Sequence, residues 1–252
     1  MQVIDFSIIG PAFIAGLLVL VTHVPLGRKV LERGIIFLDL AIAQSAAFGV
    51  VLAGLIFEEE NALFIQLSAG ASAIFSAALL NWTEKYWAHH QEAIIGSLFV
   101  LMATGSIIAL AGNPHGGENL KELLVGQILW ITWDQLWPAF IVSLFVLAAV
   151  VFFKHPLLKF YFPFAVAVTM SVQLVGVYLV FTSLIVPALA TIRLSSMPGQ
   201  IKALLIGLMG YGLGLLFSSV FDFPSGAVIV WSLVFVAIAC NLFSIVSRLK
   251  QN

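Results

Sequence analysis

A chain of 252 residues that is 62% hydrophobic and only 9% charged is not a water-soluble domain. Its formal net charge of −1 gives no sign of a nucleic-acid partner, and a single cysteine, Cys240, rules out a disulfide framework or a cysteine metal cluster. The apolar runs are continuous rather than alternating, which excludes a membrane β-barrel and leaves a polytopic α-helical membrane protein.

Runs long enough to cross about 30 Å of hydrocarbon follow one another with short polar breaks. They fall at about 6–26, 34–57, 62–82, 93–112, 135–153, 160–192, 203–221 and 225–247. The chain opens with Asp5 and no basic segment, so the first run reads as a retained span rather than a cleaved signal peptide. A basic turn, Arg28, Lys29 and Arg33, precedes the second run, which nevertheless holds Asp39. No other charged residue sits inside an apolar run of spanning length. A carboxylate there costs at least ~2.5–3.5 kcal/mol, so it needs a reason: a cation path, a proton relay or a buried partner. Small residues (Ala69, Gly70, Ala71 and Ser72; later Gly207, Gly210, Gly212 and Gly214) predict segments in the bundle interior. Between 113 and 137, Leu120, Leu123, Leu124 and Ile128 recur at helical spacing, followed by Trp130, Trp133 and Trp137. That pattern predicts an amphipathic helix lying in the membrane interface.

The run from Phe160 to Ile192 is too long for one crossing, since a single helix of that length would measure ~50 Å. Gly176 at its middle and Pro187 near its end make two short crossings, or a broken pair, possible. Charge arbitrates, because cytoplasmic loops are enriched in Lys and Arg. One crossing splits the eleven basic residues six against five. Two crossings place Arg28, Lys29, Arg33, Lys85, Lys154, Lys159, Arg193, Lys202, Arg248 and Lys250 on one side and Lys121 alone on the other. The sequence thus predicts one all-α transmembrane domain over 1–252, a bundle of about eight to nine crossings. The asymmetry favours nine, with the N-terminus outside and the C-terminus cytoplasmic.

The outer side then collects Asp5, Glu58, Glu59, Glu60, Glu118, Glu122, Asp134 and Asp222. Such a rim concentrates cations, although each acid taken singly is also an ordinary solvated loop charge. Enzyme signatures are missing: there is no HExxH, no G-x-S-x-G and no Gly-rich Lys-Ser/Thr phosphate loop. ATP-driven transport would need its motor on another polypeptide. The candidate metal contacts are Asp39, Gln44, His115 and Glu118, donors that suit a hard or borderline divalent cation. Gln44 lies five residues past Asp39, roughly 140° around a helix, so the two do not share a face. His115 and Glu118 sit outside in Pro114-His-Gly-Gly-Glu118, and His23 ends the first span. The competing role is an interfacial histidine without ligand duty for His23 and His115, and a helix-packing hydrogen bond for Asp39. His89 and His90 read as inner loop residues.

Together, His23-Val-Pro-Leu-Gly27, the basic turn, Asp39 through Gln44 to Gly49, and Glu92-Ala-Ile-Ile-Gly96 resemble the metal-ion permease family of bacterial ABC importers. Pro114-His-Gly-Gly with Glu122-Leu-Leu-Val-Gly126, the run Val175-Gly-Val-Tyr through Pro187-Ala-Leu-Ala190, and Asp222-Phe-Pro-Ser-Gly226 extend the resemblance over nearly the whole chain in order. It implies a divalent metal ion (zinc, manganese or iron(II)) as transported substrate, with no tightly bound cofactor. It also implies a permease homodimer in the lipid of a bacterial inner membrane, a cytoplasmic ATPase and an extracytoplasmic metal-binding protein. Many relatives carry Asp and His four apart on the second helix; here Gln44 stands at the His position and Asp39 one place early. Relatives also have an acidic ATPase-coupling segment where this chain has only Lys154-His-Pro-Leu-Leu-Lys-Phe160. The importer reading therefore stands beside two alternatives, a stand-alone proton-coupled metal carrier and a non-transporting scaffold paralogue.

Overall fold

The structure, a computed structural model, describes residues 6–56, 62–111, 118, 121, 124–126 and 128–249. Among these there are nine α-helices and no strand: α1 (Phe6–Arg33), α2 (Leu38–Ile56), α3 (Ala62–Tyr86), α4 (Gln91–Leu110), α5 (Trp133–Phe152), α6 (Phe162–Val175), α7 (Val177–Ala190), α8 (Ser196–Phe221) and α9 (Ser225–Leu249). A turn of π-helix, Leu157–Tyr161, leads into α6. Eight segments are long and apolar enough to cross a membrane, and α7 is a ninth, shorter apolar helix. The chain is a polytopic helical bundle.

The first helix is longer than its apolar run. α1 passes through Pro25 and ends only at Arg33, because a proline inside a helix removes one backbone bond without ending it. Residues 27–33 are therefore the last turns of a crossing helix, and His23 is interior rather than terminal. Arg28 is buried and serves as a clamp: Nη1 donates to Thr191 O at 3.2 Å and Nη2 to Leu194 O at 2.9 Å. Two carbonyls just past the end of α7 are thereby satisfied.

These contacts decide the path of the 33-residue run. Its beginning is tied to the Arg33 end of α1, since Tyr161 donates to Glu84 at 3.0 Å and Arg33 pairs with Glu84 at 3.4 Å. Its end is tied to the same end of α1 through Arg28 and Thr191. The run leaves one end of the bundle and returns to it, a hairpin whose reversal is Gly176, with φ 82° and ψ 159°. The 14 residues of α7 span only ~21 Å, short of the hydrocarbon thickness. The connection from α4 to α5 reaches in to meet the reversal, so that the backbones of Gly126 (φ 71°) and Gly176 touch.

That contact corrects the expected interfacial helix between 113 and 137. Glu118, Lys121, Leu124 and Val125 are helical, but the left-handed Gly126 stops any helix there. Ile128–Trp130 is a separate 3₁₀ turn with Ile128 sealed in the core, and Trp133 and Trp137 belong to α5. The remaining residues of that expectation lie outside the described ones. Gly207, Gly210 and Gly214 do admit neighbours closely, namely Leu20, Leu233 and Ile229, whereas Gly70 faces open space.

A side chain at Gly176 would meet both a backbone region reserved for glycine and the Gly126 backbone. Gly176→Ala is expected to lose about 1–3 kcal/mol from backbone strain alone. A lowered thermal unfolding midpoint in detergent would register it. An unchanged midpoint would mean the hairpin reverses elsewhere.

Candidate functional site

The buried polar groups divide between the basic end of the bundle and its interior. At the basic end, the α1–α2 turn delivers Asp39 into the first turn of α2. Asp39 is fully buried, and neither of its carboxylate oxygens has a hydrogen-bond partner among the described residues. The packing hydrogen bond that would make Asp39 merely structural is absent from its described surroundings. A carboxylate sealed in this way needs a counter-charge or a proton.

Gln44 is also buried, 3% exposed, on the same helix. Five residues separate it from Asp39, so the two point about 140° apart. Between the helix starts, Glu92 of α4 accepts the Phe37 N–H at 3.3 Å through Oε1, while its Oε2 is buried without a partner among the described residues. Glu84 collects Arg33 and Tyr161, and the Arg33 guanidinium also lies 4.2 Å from the Phe160 ring centre. This group straps the short 153–161 turn onto α1 and α3. Gln91 closes the α3–α4 corner by donating to Leu80 O at 2.8 Å and accepting from Thr83 at 3.0 Å. His89 and His90 are exposed there in a short turn, as loop residues.

Glu118 is exposed and comes eight residues after α4, a helix whose 20 residues run ~30 Å from its Gln91 end. His115 lies outside the described residues. Asp39 and Gln44 therefore share a helix near one end, and the structure does not bring Glu118 together with them. Among the described residues no three His, Cys, Asp or Glu side chains gather closely enough to hold a metal ion. Of the acids expected on the outer side, Asp134 and Asp222 are exposed, while Asp5, Glu58, Glu59, Glu60 and Glu122 lie outside the described residues.

The interior adds what the sequence reading missed. His23 is fully buried, with Nδ1 held 3.0 Å from Val19 O and Nε2 without a partner among the described residues. The signal was available in the spacing: Gly16, His23 and Gly27 recur at seven and four residues, one face of a helix. Reading the helix as ending at 26 hid it.

A multi-pass bundle of this kind, with buried polar groups and no nucleotide loop, is the build of a membrane transport subunit. The model of the ABC 3 transport family matches residues 5–167 and again 159–244, and the chain belongs to that family. Its relatives include the manganese transport system membrane protein MntC of Halalkalibacterium halodurans, 25% identical over 252 aligned residues that cover 91% of this chain and 85% of that protein. The fold is shared with PsaBC from Streptococcus pneumoniae, solved in complex with Fab. There the TM-score is 0.74 at 17% identity, covering 93% of this chain and 91% of that one.

If Asp39 has no structural partner, removing its charge should not weaken the fold. Asp39→Asn is expected to unfold at the wild-type temperature or above, measured by thermal melting in detergent. A fall of several degrees would reveal a hydrogen bond that the carboxylate makes and the amide does not.

Proposed function

We propose that the chain is the membrane permease subunit of an ATP-driven importer for divalent metal ions, manganese, zinc or iron(II). Two copies would pair in a bacterial inner membrane. ATP hydrolysis would reside on a separate cytoplasmic ATPase, and an extracytoplasmic metal-binding protein would deliver the ion. The observation that carries this reading is the family match along almost the whole chain; the manganese transport function named for the relative gives it a substrate class. The basic end, where Arg28, Arg33, Lys85, Lys159 and Arg193 fall, would face the cytoplasm, which leaves the N-terminus outside and the C-terminus inside.

The bundle would work by alternating access, opening first to the delivery protein and then to the cytoplasm. Asp39 is the proposed cation contact near the inner end, its unsatisfied oxygens waiting for a positive charge, with Gln44 a weaker neighbour. Glu118 and His115 would lie near the outer mouth. Weak ligation suits a path, because a site must release what it binds.

One observation favours a second reading, a stand-alone carrier. The 153–161 turn, where relatives carry their coupling segment, is short and strapped by Arg33, Glu84 and Tyr161. The two parts of the family match overlap just there, at 159–167. The experiment is a detergent pull-down of the tagged chain co-expressed with an ATPase subunit encoded near it. Stoichiometric recovery of the ATPase is expected for the importer. Recovery of the chain alone would overturn that reading in favour of the carrier or a scaffold.

A further inference from the structure

The 153–161 turn sorts its side chains by kind. Leu157–Tyr161 is a π-helical turn, closed by the Phe162 N–H on Leu157 O, and its wider winding lets neighbours in sequence face the same way. Phe160 and Tyr161 are both buried, with ring centres 5.2 Å apart. Leu158 and Lys159 are both exposed, as are Phe153, Lys154 and His155 before them. The Lys159 N–H donates to His155 O at 2.8 Å, so these two side chains stand one turn apart on the outer side.

A second basic row meets this one. The Arg33 guanidinium lies 4.2 Å from the ring centre of Phe160, the residue after Lys159, and Lys29 stands one turn before Arg33 on the same face of α1. Lys29 feels the positive charges of both Lys159 and Arg33. Few acids answer them: Glu84 is held by Arg33 and Tyr161, and Glu32 is the one acid that offsets Lys29 among the described residues. Lys29, Lys154 and Lys159 form no salt bridge among those residues. Like charges gathered in this way repel, and an anion shared between them removes that cost.

Depth identifies the anion. Trp82, Tyr86 and Trp87 at the end of α3 are exposed and pack on one another, with the Tyr86 and Trp87 ring centres 5.3 Å and 5.4 Å from that of Trp82. Exposed Trp and Tyr gather at the headgroup layer of a membrane. Glu84 lies within that stretch, and the hydrogen bond it accepts from Tyr161 sets the 157–161 turn at the same level. Only residues 153–156 lie between α5 and the π-helical turn, so the connection does not project from the bundle. On α5 the outward stripe of Trp137, Ile141, Leu144 and Phe152 is apolar and ends at these lysines. The basic group thus caps a lipid-facing stripe at the depth where phosphates sit.

We infer that the 153–161 turn and the end of α1 form a headgroup site for an anionic phospholipid, with Lys29 and Lys159 on its phosphate and its acyl chains along the α5 stripe. Lys154 adds positive charge from the edge of the same turn. A protein partner fits less well, because Phe152, Phe153 and Leu158 continue the lipid-facing surface of the bundle instead of standing on a projecting segment. The site goes beyond the transport reading, since it needs neither metal nor nucleotide. It gives the strap of Arg33, Glu84 and Tyr161 a second fastening, to the membrane itself.

The test reads lipid binding to the purified full chain in detergent by native mass spectrometry, with phosphatidylglycerol and phosphatidylcholine of matched acyl chains as probes. Wild type should hold phosphatidylglycerol about tenfold more tightly than phosphatidylcholine. Lys159→Gln and Lys29→Gln should each weaken phosphatidylglycerol binding about fivefold, the loss expected for one lysine at a charged surface, and leave phosphatidylcholine unchanged. Lys159 is exposed, so its replacement leaves the packing intact, and a single gel-filtration species checks both variants. Arg193→Gln, at the α7–α8 corner of the same end, should change nothing, and glycerol phosphate should not compete with the lipid. Equal binding of the two lipids, an equal loss with Arg193→Gln, or full binding by both lysine variants would overturn the site. Displacement by glycerol phosphate would overturn the lipid assignment in favour of a free phosphate ester. A wild type without lipid preference that loses a co-purified ATPase on Lys159→Gln would overturn it in favour of a protein.

Discussion

Gly126 lying backbone to backbone on Gly176 is the contact on which the arrangement of the bundle depends. It lets a helical hairpin reverse inside the bundle, with Gly176 in a conformation that side chains resist. Without that reversal α6 and α7 would form one over-long helix, and α7 would not return to the end where Arg28 receives it. With it, α7 lies along the glycine face of α1. The cost of ordering irregular backbone at this depth is offset because it is enclosed in protein, away from lipid.

Much of the fold was legible because a bilayer imposes a length. Eight apolar runs gave the bundle, and the excess length of 160–192, weighed against the Lys and Arg distribution, pointed to a broken pair. The end of α1 was not legible. Pro25 and the basic turn look like a helix terminus, but the peptide groups continue in α-helix, and Arg28 finds its partners 163 and 166 residues away. Contacts of that separation leave no local mark. The same blind spot put His23 at an interface when it is sealed inside. Asp39 stood out as a charge in an apolar run, yet only the packing shows that both its oxygens lack partners among the described residues. The 113–137 segment misled for a related reason: its apolar spacing is helical, but Gly126 is needed in a left-handed conformation to meet Gly176, and that ends the helix.

The basic end is where the short 153–161 turn is fastened to the bundle. Arg33, Glu84, Phe160 and Tyr161 knit the short 153–161 turn to α1 and α3. The Arg33–Glu84 pair is about one-third exposed on each side, so by itself it contributes little. The phenol hydrogen bond and the aromatic ring under the guanidinium give the group its geometry. Any motor that moves this bundle through that turn would pull on α1 and α3 together, and α1 carries the buried His23. A rigid link of this kind suits transmission over a short lever as well as it suits a turn that has ceased to dock anything.

The distinction between these two is settled by transport itself. The chain, reconstituted in proteoliposomes with a candidate ATPase subunit, would be given radiolabelled Mn²⁺ and a candidate metal-binding protein on one side and ATP on the other. The account predicts metal accumulation that requires ATP and the delivery protein and that falls with Asp39→Asn. Accumulation that proceeds without the ATPase, driven by a proton gradient alone, would contradict it.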